Sequence, residues 1–235
     1  MSKSWEYRLS TIPQNYDFRL TNQQQNASNF SHLMPTALLF DLGTVIIDID
    51  PSLTVAAFRK LLGEHSDRLL AQTNWEEWHS QLEIGALSAE AFINRIQSAS
   101  PVPLHGREIV NAWNATLIGI PAWRIELLKA LKKDYRLFLL SNTDPIHMTW
   151  IREYVRRTFG IADFEHSLFE RAFLSYEVNA RKPDSLIYKI VLEETGISPR
   201  EYLFIDDKKE NVDGARAIGI PSIQYPPERG QKAES

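Results

Sequence analysis

Residues 38–40 form a short apolar run, Leu38-Leu39-Phe40, that meets Asp41 and then the pair Gly43-Thr44, with Val45, Ile46 and Ile47 behind it. Such a run suits a strand buried on both faces of a sheet, because every side chain then finds a non-polar neighbour. Its end sets a carboxylate at the sheet's rim, in the crevice where open α/β sheets bind ligands. After Pro51 the pattern changes. Apolar positions recur at helical spacing in Val55, Phe58, Leu61 and Leu62, then around Trp75, Trp78 and Leu82, from Ala89 to Ile96, and around Ile109, Trp113 and Leu117. This predicts a first helix and three or four more, with no strand, and places the Trp residues in a core. Ser88 ahead of Ala89-Glu90-Ala91 reads as an N-cap.

From Pro121 onward, helix and strand patterns alternate. A helix carrying Ile125, Leu128 and Leu131 precedes a strand over 136–140, and Ser141-Asn142-Thr143-Asp144 leads into a helix opened by Pro145 and closed by Gly160. Further strands are predicted over 172–176, 202–205 and 220–224, with helices over 184–195 and 209–218 stopped by Gly196 and Gly219. Strands separated by helices imply a parallel sheet covered on both faces, since a parallel connection needs a long right-handed crossover. The expected fold class is therefore α/β, with a Rossmann-like three-layer parallel core over 36–50 and 119–227 and a small helical cap over 51–118. Residues 1–35, which include Asn22-Gln23-Gln24-Gln25-Asn26, lack periodicity and read as a mobile tail, as do 228–235. Met34, four residues before the first strand, offers an alternative start. Four strand ends should carry Asp41, Ser141-Asn142, Arg181-Lys182 and Asp206-Asp207 to one rim.

Composition narrows the picture. Hydrophobic residues at 43% and charged residues at 24% describe an ordinary globular chain, and no apolar run nears the ~20 residues of a membrane span. No secretory signal pattern opens the chain. The absence of cysteine excludes disulfides, thiolate metal sites and cysteine nucleophiles, and fits a reducing, cytoplasmic setting. A net charge of −4 without a Lys/Arg-rich block argues against nucleic acid as a partner. Any phosphate bound here is expected to be small.

Taken in order, Phe40-Asp41-Leu42-Gly43-Thr44-Val45, Leu139-Leu140-Ser141-Asn142, Arg181-Lys182-Pro183-Asp184 and Phe204-Ile205-Asp206-Asp207 with Asn211 resemble the motifs of the haloacid dehalogenase superfamily. The resemblance spans residues 37 to 225. It implies a Mg²⁺-dependent phosphatase acting on a small phosphorylated metabolite, such as a sugar phosphate, through a phosphoryl group carried on Asp41. Asp41 and Asp207 would ligate the cation through their side chains and Gly43 through its carbonyl, with Asp206 behind them. Ser141, the Asn142 amide and Thr44 would grip phosphate oxygens. Lys182 would neutralise nucleophile and phosphate, and the helical insertion would close over the site and choose the substrate. Asn179, where relatives often carry Gly, suits a left-handed backbone.

One position departs from the pattern. Most phosphatases of the superfamily have a second Asp two residues after the nucleophile, where this chain has Gly43. General acid–base help is worth ~10²–10⁴-fold, so the alternative is a phosphate- or metal-binding protein with slow or no turnover. A bacterial subgroup shares the Asp-x-Gly arrangement, and one member acts on α-D-glucose 1-phosphate. Asp48, Asp50 and Asp144 are candidates to replace the missing acid, against the simpler reading of each as a turn or cap residue. His79, Glu83, Trp113 and Asn114 are the cap positions considered for substrate contact. Dehalogenation itself fits less well, because it has no use for the acidic pair Asp206-Asp207.

Overall fold

The structure is a computed structural model that describes residues 35–66 and 74–225, within a compact unit that begins at Pro35. The tails, apart from Pro35, and the alternative start at Met34 lie outside the described residues. The first half of the described chain runs β1 (Ala37–Phe40), β2 (Asp48–Ile49), α1 (Pro51–Leu62), α2 (Trp75–Glu83), α3 (Ala89–Ala99), α4 (Gly106–Trp113) and β3 (Leu117–Gly119). The second half runs α5 (Ala122–Leu131), β4 (Arg136–Ser141), α6 (Pro145–Phe159), α7 (Phe164–Leu168), β5 (Arg171–Leu174), α8 (Ser175–Val178), α9 (Ser185–Thr195), β6 (Tyr202–Asp206), α10 (Lys209–Ala217) and β7 (Ser222–Gln224).

β1 is the middle strand of a five-stranded parallel sheet in the order β5-β4-β1-β6-β7. Alternate side chains leave a strand on opposite faces. Leu38 and Phe40 accordingly join Leu137, Leu139 and the α5 and α6 residues Ile125, Leu128, Met148 and Ile151. Ala37 and Leu39 instead join Phe138, Leu140, Phe204 and the α9 and α10 residues Ile187, Val191 and Ala215. These are the three layers of the expected α/β fold. The helix ends follow local chemistry: Ser88, Asp144 and Asp184 cap α3, α6 and α9 through their side chains, and Gly160 and Gly196 close α6 and α9 in the left-handed conformation.

α1 to α4 form the inserted helical cap, packed around Phe58, Leu62, Leu82, Phe92, Ile96, Ile109 and Trp113 with Ile146 reaching in from α6. Trp75 packs half-buried against this core, its ring centroid 5.2 Å from that of Phe58 and 5.6 Å from that of Trp113. Of the tryptophans expected in a core, Trp113 lies within it, whereas Trp75 and Trp78 are partly buried against it.

Three expectations need correction. The insertion was expected to lack strands, yet β3 pairs antiparallel with β2, so Leu117 is a strand residue and the chain's entry into the cap lies beside its exit. Strands of two and three residues are too short to show a period. The strand expected over 172–176 stops at Leu174 and turns into the single helical turn of α8. There Ser175 Oγ donates to the Thr143 carbonyl and accepts from its N–H, both at 3.0 Å, a non-local bond that overrides the strand pattern. Consequently Arg181 and Lys182 lie in the loop between α8 and α9 and not at a strand end. That loop opens at Asn179, which adopts φ 54 as anticipated.

Candidate active site

The sheet register assembles the first part of the site. Phe40 lies opposite Leu139 on one side and Ile205 on the other, so the residues that follow, Asp41, Leu140-Ser141 and Asp206, emerge side by side at the carboxyl ends of three adjacent strands. The Asp41 N–H still donates to the Ile205 carbonyl at 2.9 Å. Beyond it the chain folds into a tight loop in which Ile46 and Ile47 both donate to the Leu42 carbonyl, and Thr44 takes the positive φ of 63 that non-glycine residues seldom adopt.

Lys182 arrives from 141 residues away and is 1% exposed. Its ammonium spends all three donors, on Asp41 Oδ1 at 2.6 Å, Asp206 Oδ2 at 2.7 Å and the Leu140 carbonyl at 2.8 Å. Asn142 fixes the loop that carries it: its side-chain amide donates to the Lys182 carbonyl at 2.9 Å and its side-chain oxygen accepts the Lys182 N–H at 2.8 Å. Motif reading assigned Asn142 through its backbone alone and missed this clamp, which no local pattern could reveal. Asp206 is fully buried and accepts from Asn211 Nδ2 and the Lys208 N–H as well as from Lys182.

The carboxylates of Asp41, Asp206 and Asp207 offer oxygens within 4.8 Å of one another. Burial pushes Asp41 up to about 6; Lys182 pulls it down, while Asp206 and Asp207 push it further up. Asp207 is also raised, by burial and then by Asp206, against a hydrogen bond from Thr44. Burial works against the Lys182 ammonium, but Asp41 and Asp206 outweigh it and hold its pKa above the usual value. Three carboxylates and one ammonium leave a net charge of −2, which a divalent cation would balance. Their oxygen chemistry is that of a hard cation. Asp206, with its oxygens already engaged, suits a supporting place, whereas Asp41 Oδ2 lies on the side of the Gly43 turn, 4.0 Å from where a Cβ at Gly43 would stand.

The remaining expected residues divide. Ser141 is buried at the end of β4, and Thr44 reaches Asp207. At Gly43 a Cβ would stand 3.1 Å from Ile49 Cδ1, so the space beside this glycine is partly filled by Ile49. The three candidate replacement acids have structural work: Asp48 pairs with Arg124 at 2.6 Å, Asp50 caps α1, and Asp144 caps α6 while accepting Trp113 Nε1–H at 3.0 Å. Trp113 belongs to the cap's core. Asn114 Oδ1 is 2.9 Å from His147 Nδ1, and Glu83 meets His79 and Arg181. His147, in the first turn of α6, and the cap-facing side chain of Arg181 are additions that sequence reasoning did not single out.

The family model for haloacid dehalogenase-like hydrolases matches residues 35–219, and the chain belongs to that family. It is 29% identical over 195 residues to a D-ribitol-5-phosphate phosphatase of Bacteroides thetaiotaomicron, covering 82% of this chain and 92% of that one. A sesquiterpene phosphatase of Aspergillus oryzae is 28% identical over 190 residues, covering 80% and 88%. A HAD family enzyme of Bacteroides thetaiotaomicron, crystallised with magnesium and inorganic phosphate, superposes with a TM-score of 0.74 at 30% identity, covering 84% of this chain and 98% of its own. Among the described residues, no helix is long and apolar enough to cross a membrane.

Proposed function

We propose that this protein is a HAD-type phosphoric monoester hydrolase that uses Mg²⁺ and Asp41 to remove phosphate from a small phosphorylated metabolite. The observation that carries the reading is the meeting of the Asp41, Asp206 and Asp207 carboxylates at one rim, with the Lys182 ammonium held between Asp41 and Asp206. Asp41 Oδ attacks phosphorus, the bond from phosphorus to the alcohol oxygen breaks, and the departing oxygen takes a proton from solvent. Water then attacks the phosphorus held on Asp41, the bond from phosphorus to Asp41 Oδ breaks, and inorganic phosphate leaves with the carboxylate restored and the water's proton passed to solvent. Lys182 screens the approach of a carboxylate to an anion, and Ser141, the Asn142 amide and Thr44 hold phosphate oxygens. Asp41, Asp207 and the Gly43 carbonyl would ligate Mg²⁺, with Asp206 holding Lys182 behind them. The cation supplies the remaining positive charge on the transferred group.

Core boundaries at 36–50 and 119–227, a cap over 51–118, a cytoplasmic location and a substrate other than nucleic acid belong to the same reading. The resemblance to the Asp-x-Gly subgroup and the similarity to a D-ribitol-5-phosphate phosphatase both favour a sugar or polyol phosphate. Gly43 and the Ile49 side chain beside it favour a second reading, a protein that binds phosphate and metal but turns over slowly. Phosphate release from a panel of sugar phosphates, nucleotides and an aryl phosphate separates the two. Wild type should release phosphate only with Mg²⁺, and Asp41→Asn should fall to the uncatalysed background. Equal release by both proteins would overturn the phosphatase reading.

A further inference from the structure

Thr44 stands at the most constrained point of the backbone at the rim. Among the described residues, Thr44 and Asn179 are the non-glycine positions with positive φ, and Thr44, at φ 63, is branched at Cβ. Asn tolerates that region, whereas a β-branched residue there is an outlier that its surroundings must hold in place. The Val45 N–H donates to the Gly43 carbonyl at 2.6 Å, which with the positive φ makes Thr44 the centre of the rare, strained form of the three-residue γ-turn. The Thr44 N–H is itself spent on the Ile47 carbonyl at 2.7 Å. The turn therefore fixes where the Gly43 carbonyl points.

The side chain of Thr44 is engaged on the other side of the same site. Its hydroxyl meets the carboxylate of Asp207, one of the three whose oxygens lie within 4.8 Å of one another. The main chain there is held separately: Gln224 Nε2 donates to the Asp207 carbonyl at 2.9 Å, and the Tyr225 N–H donates to the Asp206 carbonyl at 2.8 Å. With the main chain fixed, what remains for Thr44 to set is the direction of the Asp207 carboxylate. A hydroxyl has one proton, and while Asp207 accepts it a phosphate oxygen cannot. The two tasks open to Thr44 thus exclude each other at any moment, and the strain fits the first, because a residue in this turn spans from the Gly43 carbonyl to Asp207. Glycine would adopt the same φ without strain but would bring no hydroxyl.

We infer that Thr44 is a positioning residue of the cation site, its strained turn aiming the Gly43 carbonyl and its hydroxyl holding the Asp207 carboxylate towards the same ion. The inference rests on the Mg²⁺-dependent phosphatase reading for its setting, and its test needs no turnover. Mg²⁺ is titrated calorimetrically into full-length wild type, Thr44→Ser, Thr44→Val and Thr44→Gly without phosphate, and inorganic phosphate is then titrated into each at saturating Mg²⁺. Thr44→Val and Thr44→Gly should bind Mg²⁺ about tenfold more weakly than wild type or worse, because groups that orient a metal's ligands are worth roughly 10–100-fold in affinity. Thr44→Ser keeps the hydroxyl and should restore most of the affinity. Thermal unfolding with a chelator should find Thr44→Gly close to wild type, since relief of strain offsets the added freedom of its unfolded chain. Its weaker binding would then come from the site and not from misfolding. Unchanged Mg²⁺ affinity in both Thr44→Val and Thr44→Gly would overturn the inference. A loss confined to the phosphate titration would overturn it too, and would assign the hydroxyl to the phosphate. Wild type that binds no Mg²⁺ would overturn the phosphatase reading together with the inference, an outcome distinct from binding that the variants leave intact.

Discussion

The rim of the sheet and the seam beneath the cap treat buried charge differently. At the rim, Lys182 makes three short hydrogen bonds and Asp206 accepts from three different residues. At the seam, a buried Glu83 oxygen has a neighbour but no aligned donor, and the His147 ring lies stacked on Trp113 at 5.4 Å with its charged form disfavoured. The order at the rim suits phosphoryl transfer, which needs groups held still before substrate arrives, because preorganised charge requires no rearrangement during reaction.

The largest effect should come from breaking the rim. Lys182→Met leaves Asp41 and Asp206 buried without their cation, a change that costs roughly 3–5 kcal/mol when one partner of a buried pair is lost. Urea unfolding in the presence of a chelator should show that loss, and part of it should return with added Mg²⁺ if a divalent cation takes up the excess negative charge. A smaller effect is expected at the joint between cap and core. Trp113→Phe removes the donor to Asp144 Oδ2, a 1% exposed residue, and should cost about 1–3 kcal/mol for a buried acceptor left unsatisfied. An unchanged unfolding midpoint would show that this bond does not contribute to the joint.

The smallest expected effect is in pH dependence. His147 has its pKa lowered from 6.5, by burial first, with His79 adding to the shift and Asp144 and Glu83 opposing it. As pH falls below that unfolded value, the unfolded chain takes up the proton first, so stability is lost on the acid side and is unaffected well above it. Unfolding at about pH 7.5 and about pH 5.5 should therefore show a larger acid loss in wild type than in His147→Gln. Parallel losses would assign the acid sensitivity to other groups.

Sequence patterns carried further at the rim than at the seam. Asp41, Ser141 and Asp206 were legible because each ends a strand whose apolar run is continuous, and the order of those runs matches one family. Lys182 reaches Asp41 and Asp206 from a loop and not from the strand end that the pattern predicts, since the bond between Ser175 and Thr143 that ends β5 early joins residues 32 apart. At the seam, Glu83 and His79 stand in the sequence as candidates for substrate contact on a predicted helix, with no pattern that tells them from surface positions. Nothing within α2 announces that Arg181 will face them.

What the sequence by itself determined is local. Apolar periodicity set the longer strands and helices, Asp144, Ser88 and Asp184 started helices, and Gly160 and Gly196 stopped them, because each signal acts over a few bonds of the backbone. The tertiary structure alone decided that β1 would lie between β4 and β6, that β2 would pair with β3, that Asn142 would clamp Lys182 across 40 residues and that Arg181 would meet Glu83. Those outcomes depend on which surfaces remain to be buried once the elements exist. Packing resolves that competition over the whole chain at once, and no single stretch of residues contains it.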